Sequence, residues 1–157
     1  MAAIGQQDKN SVSEIQAVIL RLRDEEFGVE IVNVREITRM MDITTINEPA
    51  GFISGVVNLR GQVIVVVDLA RQLGFLAMEK IPETARIVFI ELRKKNFGLI
   101  VDQVSDVVKV SLEHAGSSLG NIQTVVQTEY IKGIGLAVNG PIIVLDLEKV
   151  FLKFIKD

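Results

Sequence analysis

The polar and apolar positions of this chain run mostly in steps of two. Val18, Leu20 and Leu22 alternate with Ile19, Arg21 and Arg23, the period of a half-buried strand. The polar stretch "RDEE" follows, then Phe27-Gly28, so a hairpin is expected here. The stretch "FISGVVNLRGQVIVVVDLARQLGF", residues 52–75, predicts a second hairpin turning at Arg60-Gly61. Two later runs match these, one through "RKKN" to Phe97-Gly98 and one turning at Asn139-Gly140, a strong two-residue turn pair. Val63–Val67 and Ile142–Leu145 are apolar at every position, which predicts burial on both faces. Asp68-Leu69 and Asp146-Leu147 close those strands, and aspartate caps helix N-termini well. Two short helices are therefore expected, "DLARQLG" and the C-terminal "DLEKVFLKFIKD", with Leu147, Val150, Phe151 and Phe154 on one face of the second.

The pattern occurs twice. "VILRLRDEEFGVEIVNVREITR" (18–39) aligns without a gap on "VFIELRKKNFGLIVDQVSDVVK" (88–109). "FISGVVNLRGQVIVVVDLAR" (52–71) aligns on "YIKGIGLAVNGPIIVLDLEK" (130–149). The second copy has the longer internal loop, placed at residues 113–130. Two copies of one small, mostly β unit predict two strand-rich subdomains, each curled into a barrel that hides its strand edges. The bounds taken here are a loose tail at 1–13, a first barrel at 14–84 and a second at 85–157 with the C-terminal helix. They are approximate, with strands free to interleave between the halves.

Composition narrows the chemistry. Among 157 residues there is no cysteine and one histidine, so no disulfide framework or thiolate site exists. His114, in the polar loop, reads as a surface residue, since one imidazole makes neither a triad nor a metal site. "GIGLAVNG" (133–140) resembles the start of a dinucleotide fingerprint but lacks the third glycine at Val138, and Pro141 follows where a helix should begin. It reads better as a glycine-softened strand before a hairpin. Net charge is −3 with one tyrosine and no tryptophan, which argues against nucleic acid. No basic n-region precedes an apolar segment, and no apolar run is long enough for a bilayer, so no signal peptide and no membrane insertion are expected.

Features shared by both copies serve folding most simply, so function is sought where the copies differ. Arg60 is the clearest difference, because Val138 stands at its place in the second copy. A cation at a hairpin tip adds little to a fold and suits partner recognition. Ile31 and Val34 would make an apolar patch beside it if exposed.

Four blocks carry a family resemblance: "EEFGVEIVNVREI", "PAGFISGVVNLRGQVIVVVDL", "GLIVDQVSDV" and "YIKGIGLAVNGPIIVLDLEKV". In this order, over about residues 14–152, the chain resembles the CheW-like family of bacterial chemotaxis coupling proteins. The resemblance implies two five-stranded Src-homology-3-like β-barrels packed together, with short helices. It implies no enzyme activity and no catalytic, cofactor-binding or metal-binding residues. It implies a cytoplasmic adaptor, associated with membrane receptor arrays. Its partners would be the cytoplasmic tip of methyl-accepting chemotaxis receptors and the regulatory domain of the histidine kinase CheA. By family pattern the receptor set is Ile31, Val34, Glu36, Asn58, Arg60 and Val104, in a groove between the barrels. The kinase set is Ser54, Gly61 and Val63, where Ser54 departs from the basic residue common in the family. Two alternatives stay open. One is the same domain excised from a kinase or from an adaptor–receiver fusion, which a chain running from Met1 to its C-terminal helix disfavours. The other is a small-ligand-binding β-barrel or enzyme.

Overall fold

A computed structural model describes residues 12–46, 52–114, 124–138 and 140–155. The N-terminal tail, most of the long loop and Asn139 of the expected Asn-Gly turn lie outside the described residues, as does the side chain of His114. The chain is mostly strand. In order it forms β1 (Val12–Leu22), β2 (Glu25–Glu30), β3 (Val34–Arg39), β4 (Ile53–Leu59), β5 (Gln62–Asp68), β6 (Arg86–Leu92) and β7 (Lys95–Val101). Then come β8 (Gln103–His114), β9 (Ile131–Ala137) and β10 (Gly140–Leu145). The helices are α1 (Leu69–Gln72), α2 (Leu147–Val150) and α3 (Leu152–Ile155). His114 thus ends a strand instead of sitting in a loop, and in the "GIGLAVNG" stretch residues 133–137 are strand and Val138 is turn.

The strands sort into two five-stranded sheets. One is a closed barrel in the order β1-β2-β10-β9-β8; the other runs β3-β6-β7-β5-β4. The halves of the sequence are therefore not the barrels. Each sheet borrows one hairpin from the other half, and parallel pairs seal the exchange, β2 beside β10 and β5 beside β7. Strands from the stretches 14–84 and 85–157 interleave between the two sheets, a possibility the approximate bounds left open, because strand pairing is set by packing and not by sequence proximity. The second sheet is not closed by a full ladder. Past the end of β3, Thr44 bridges Val56 on the β4 edge, each residue's N–H donating to the other's carbonyl at 2.9 Å.

The repeat's shared residues explain themselves at the parallel seals. Gly28 lies beside Val144 and Gly98 beside Val66. A Cβ on Gly98 would sit 3.0–3.2 Å from side-chain atoms of Ile87, Phe89 and Val66, so those side chains would have to shift to admit one. Gly55 and Gly133, also equivalent, let backbone pass even closer: a Cβ there would meet the carbonyl oxygens of Thr44 at 2.2 Å and Glu113 at 2.0 Å. Asp68 and Asp146 cap as expected, accepting from the backbone N–H of Arg71 at 3.3 Å and Lys149 at 3.1 Å. The C-terminal segment is two short helices broken at Phe151, and its buried set is Leu147, Val150, Phe151 and Ile155, with Phe154 half-buried.

The largest apolar cluster lies between the sheets. It draws Leu20, Leu22, Phe27 and Val29 from the barrel, Val67, Val88, Ile90, Phe97 and Leu99 from the second sheet, and the helices' Leu69, Leu73, Leu147 and Phe151. Smaller clusters fill each unit: Ala17, Ile19, Val110, Leu112 and Val144 in the barrel, and Val57, Ile64, Val66, Ile87, Phe89 and Ile100 in the other. The apolar runs are mostly buried, with Val65 and Ile142 only partly so and Val63 69% exposed. It points the same way as Val65 and Val67 but lies beyond the end of the cluster.

Phe151 is fully buried and its ring stacks on Phe97 across the sheets, with centroids 5.9 Å apart. Phe151→Ala is expected to cost about 3–5 kcal/mol in a urea titration. Because the cluster is shared, amides of both sheets should lose hydrogen-exchange protection together. Loss confined to one sheet would contradict a common core. Asp146→Ala should cost about 1 kcal/mol by the same titration.

Candidate functional site

The tip between β4 and β5 is a two-residue turn closed by the Leu59–Gln62 pair. Arg60 (φ 53°) and Gly61 (φ 83°) both lie in the left-handed region, as a type I′ turn requires. An arginine there is unfavourable by roughly 1–2 kcal/mol. Asn58 offsets part of this, since its Oδ1 accepts from the Gly61 N–H at 2.8 Å and pins the turn. The arginine itself is held at two points. Arg60 Nη1 donates to Glu36 Oε1 at 2.6 Å and Nη2 to Oε2 at 2.8 Å. This planar fork on a carboxylate is the geometry in which guanidinium–carboxylate pairs are strongest. Glu36 belongs to β3, the opposite edge of the sheet, so the pair spans the seam that the backbone ladder leaves open. The Arg60 side chain is 74% exposed and that of Glu36 only 26%, so the arginine is both latch and outer surface. Under it is a recess of about 250 Å³ whose walls include Leu59, Ile64 and Phe89.

The remaining residues expected to meet a receptor lie at the two crossovers between the sheets. Ile31 is half-buried in a 3-10 turn that carries the chain from β2 to β3. Val34 opens β3, and Val104, its counterpart in the repeat, lies at the start of β8. Both valines pack on the flank of the central cluster. Since β3 carries Val34 and Glu36, it joins the crossovers to the Arg60 tip. The residues expected to meet a kinase do not share one place. Gly61 is in the Arg60 turn and Val63 faces Asn58 across the hairpin, both at the receptor end. Ser54 is at the other end of β4, about 17 Å away by strand rise. There it lines a recess of about 170 Å³ with Arg23, Arg71, Met78 and Asp102.

Sequence reasoning took the tip cation as exceptional. It is not. Three hairpins turn immediately after Leu-Arg, at Arg23, Arg60 and Arg93, and all three arginines have positive φ, at 59°, 53° and 49°. Each is ion-paired to an acid on another element. Arg93 pairs with Glu148 on α2 at 3.0 Å, mostly in solvent. Arg23 pairs with Asp102 at 3.1 Å, and Asp102, 9% exposed, also accepts from the Arg23 backbone N–H at 2.6 Å. Arg23 Nη2 donates to the Leu76 carbonyl at 2.6 Å, and the Thr84 hydroxyl donates to the Asp102 carbonyl at 2.6 Å. This joint ties the barrel's first hairpin to the β7–β8 crossover. The recurring Leu-Arg before each turn was the signal that would have found it.

Comparison with known proteins agrees with this fold. A family model described as a CheW-like domain matches residues 16–153. A probable chemotaxis protein CheW of Rhizobium etli is 34% identical over 138 residues, covering 87% of this chain and 86% of the relative. The chemotaxis protein CheW of Klebsiella aerogenes is 30% identical, covering 84% and 78%. The crystal structure of the scaffolding protein TtCheW from Thermoanaerobacter tengcongensis superposes with a TM-score of 0.76 at 30% identity, covering 88% of this chain and 93% of that one.

If Arg60 and Glu36 act as one latch, a double-mutant cycle of Arg60→Ala and Glu36→Ala should give a coupling of about 0.5–1 kcal/mol, the range for exposed pairs. Each single variant should speed hydrogen exchange at Gly61 and along β3. A coupling of zero with unchanged exchange would show that the pair does not close the seam.

Proposed function

The chain belongs to the CheW-like family, and on that premise we propose that it is a non-enzymatic adaptor of bacterial chemotaxis, coupling receptors to the histidine kinase CheA. The observation that carries this reading is the Arg60–Glu36 latch, standing beside the crossover residues Ile31, Val34 and Val104. On this reading the two together form a groove with an apolar flank and, at its rim, a guanidinium fixed by Glu36. The cytoplasmic tip of a receptor is a helical hairpin, and one helix face would lie on Val34 and Val104. Arg60 would use donors not spent on Glu36 for a carboxylate or for carbonyls at a helix end.

Transmission would be mechanical. β3 carries Val34 and Glu36 and is hydrogen-bonded to β6, whose Val88 and Ile90 enter the core shared with the barrel. A helix pressing on the groove would therefore load both units. The kinase regulatory domain would then engage at Ser54, Gly61 and Val63. Since Gly61 and Val63 adjoin Arg60, receptor and kinase would meet this chain at neighbouring surfaces and sense each other directly. Among the described residues, no helix is long and apolar enough to cross a membrane. We place the adaptor in the cytoplasm, held to membrane arrays through its receptor.

The test is capture by a receptor-tip fragment, together with receptor-dependent CheA activity, for Arg60→Ala and Glu36→Gln. A contact role predicts a loss on the order of tenfold for Arg60→Ala and a smaller one for Glu36→Gln, because tenfold corresponds to about 1.4 kcal/mol, a magnitude that a charge-assisted contact desolvated on binding supplies. A bracing role predicts equal losses. No loss in either variant overturns the assignment of this groove to the receptor.

A further inference from the structure

The repeat places the Arg60 recess a second time on the molecule. At the corresponding end of the barrel is a recess of about 110 Å³. Ile19, Ala137 and Ile142 line it where Phe89, Leu59 and Ile64 line the first. Asp106 stands at the place of Glu36 and Glu26 at the place of Asn96. The difference is the lid. In the first copy Arg60 reaches over from the turn and forks onto Glu36. In the second the turn residue is Val138, fully exposed, with nothing to donate. The Asp106 carboxylate is exposed, and no described residue pairs or hydrogen-bonds with it. Glu26, on the same rim, is held among the described residues only by a half-exposed Arg21 at 3.4 Å.

We propose that this second recess is a receptor site for an arginine side chain supplied by a protein partner, seated as Arg60 is seated in its own copy. The chemistry matches at both ends of such a side chain. The apolar floor of Ile19, Ala137 and Ile142 suits the aliphatic stem. The two carboxylates at the rim offer acceptors for the five donors of a guanidinium. Lysine fits less well, because a point charge cannot fork onto a carboxylate as Arg60 does. One copy of the fold closes its recess in cis and the other leaves it for a partner in trans. It holds whether or not the Arg60 face meets a receptor.

The probe is N-acetyl-arginine amide, titrated into the full chain and followed by 1H–15N NMR, with the neutral isostere N-acetyl-citrulline amide beside it. Saturable shifts at Ser105, Asp106, Ala137 and Gly140 are expected with arginine and not with citrulline. Asp106→Asn should weaken them about fivefold or more, since the charge-assisted half of the contact is lost. Val138→Arg should abolish them by filling the recess from within, while Val138→Ala leaves them intact. Unchanged Gly133 and Gly135 resonances would show that the variants fold. Equal shifts with citrulline, shifts at Gly61 as large as at Gly140, or full binding by the Val138→Arg variant would each overturn the site.

Discussion

Everything in this molecule is built around one apolar layer between two sheets that have exchanged hairpins. Leu20 and Leu22 on β1 bury against a cluster that also holds Val88 and Ile90 on β6, and Phe97 stacks on Phe151 across the junction. The exchange forces the chain to cross between the units twice, at Ile31–Asn33 and at Asp102. Neither unit carries a complete sheet from one half of the sequence. Separation would expose the largest cluster, at about 25 cal/mol for each Å² of apolar surface, and leave only two smaller cores. The protein therefore answers forces as one body, which is what a scaffold needs if binding on one face is to matter on another.

The ion pairs act at the places where that layer cannot reach. A tight hairpin tip lies beyond the core and has little to fix its direction. Here three tips end in a left-handed arginine whose guanidinium finds an acid elsewhere. They differ in environment, and so in strength. The Arg23–Asp102 joint is largely out of water and backed by backbone hydrogen bonds, so breaking it would strand a buried charge. The Arg93–Glu148 pair is more than half exposed on both sides and is screened by salt. Arg60–Glu36 lies between: its acid is sheltered and its base is not. A partner can reach the arginine without first dismantling the sheet edge.

Much of this was legible in the sequence, for local reasons. Period-two alternation marked the strands, Asp68 and Asp146 marked the helix starts, and the Phe-Gly pair repeated in both copies marked positions that serve folding. Each is a rule about a few neighbouring residues. The exchange of hairpins was not legible, because a strand's pattern states that it has a buried face and not which sheet supplies the cover. Val63 shows the same limit. Its neighbours promise burial, yet it lies past the end of the core. Of the candidate site, Arg60 was found by comparing the two copies, and Glu36 by family pattern. Their pairing needed the three-dimensional seam, since β3 and β4 are separated by residues 40–52 and lie at opposite ends of the strand order.

Duplication sets what can diverge. Both copies keep the glycines at the seals, the capping aspartates and the apolar faces, each of which stabilises the packing on either side of the shared layer. Turn residues and rim charges carry no such burden. At one end the rim became Arg60 forked onto Glu36, a closed surface whose charges are paired; at the other it became Val138 beside Asp106, an open and anionic one. A fold with near two-fold symmetry would otherwise present the same face twice and could not tell two partners apart. A charge-paired rim at one end and an open anionic rim at the other give the two ends different selectivity while leaving the packing that holds them in one body unchanged.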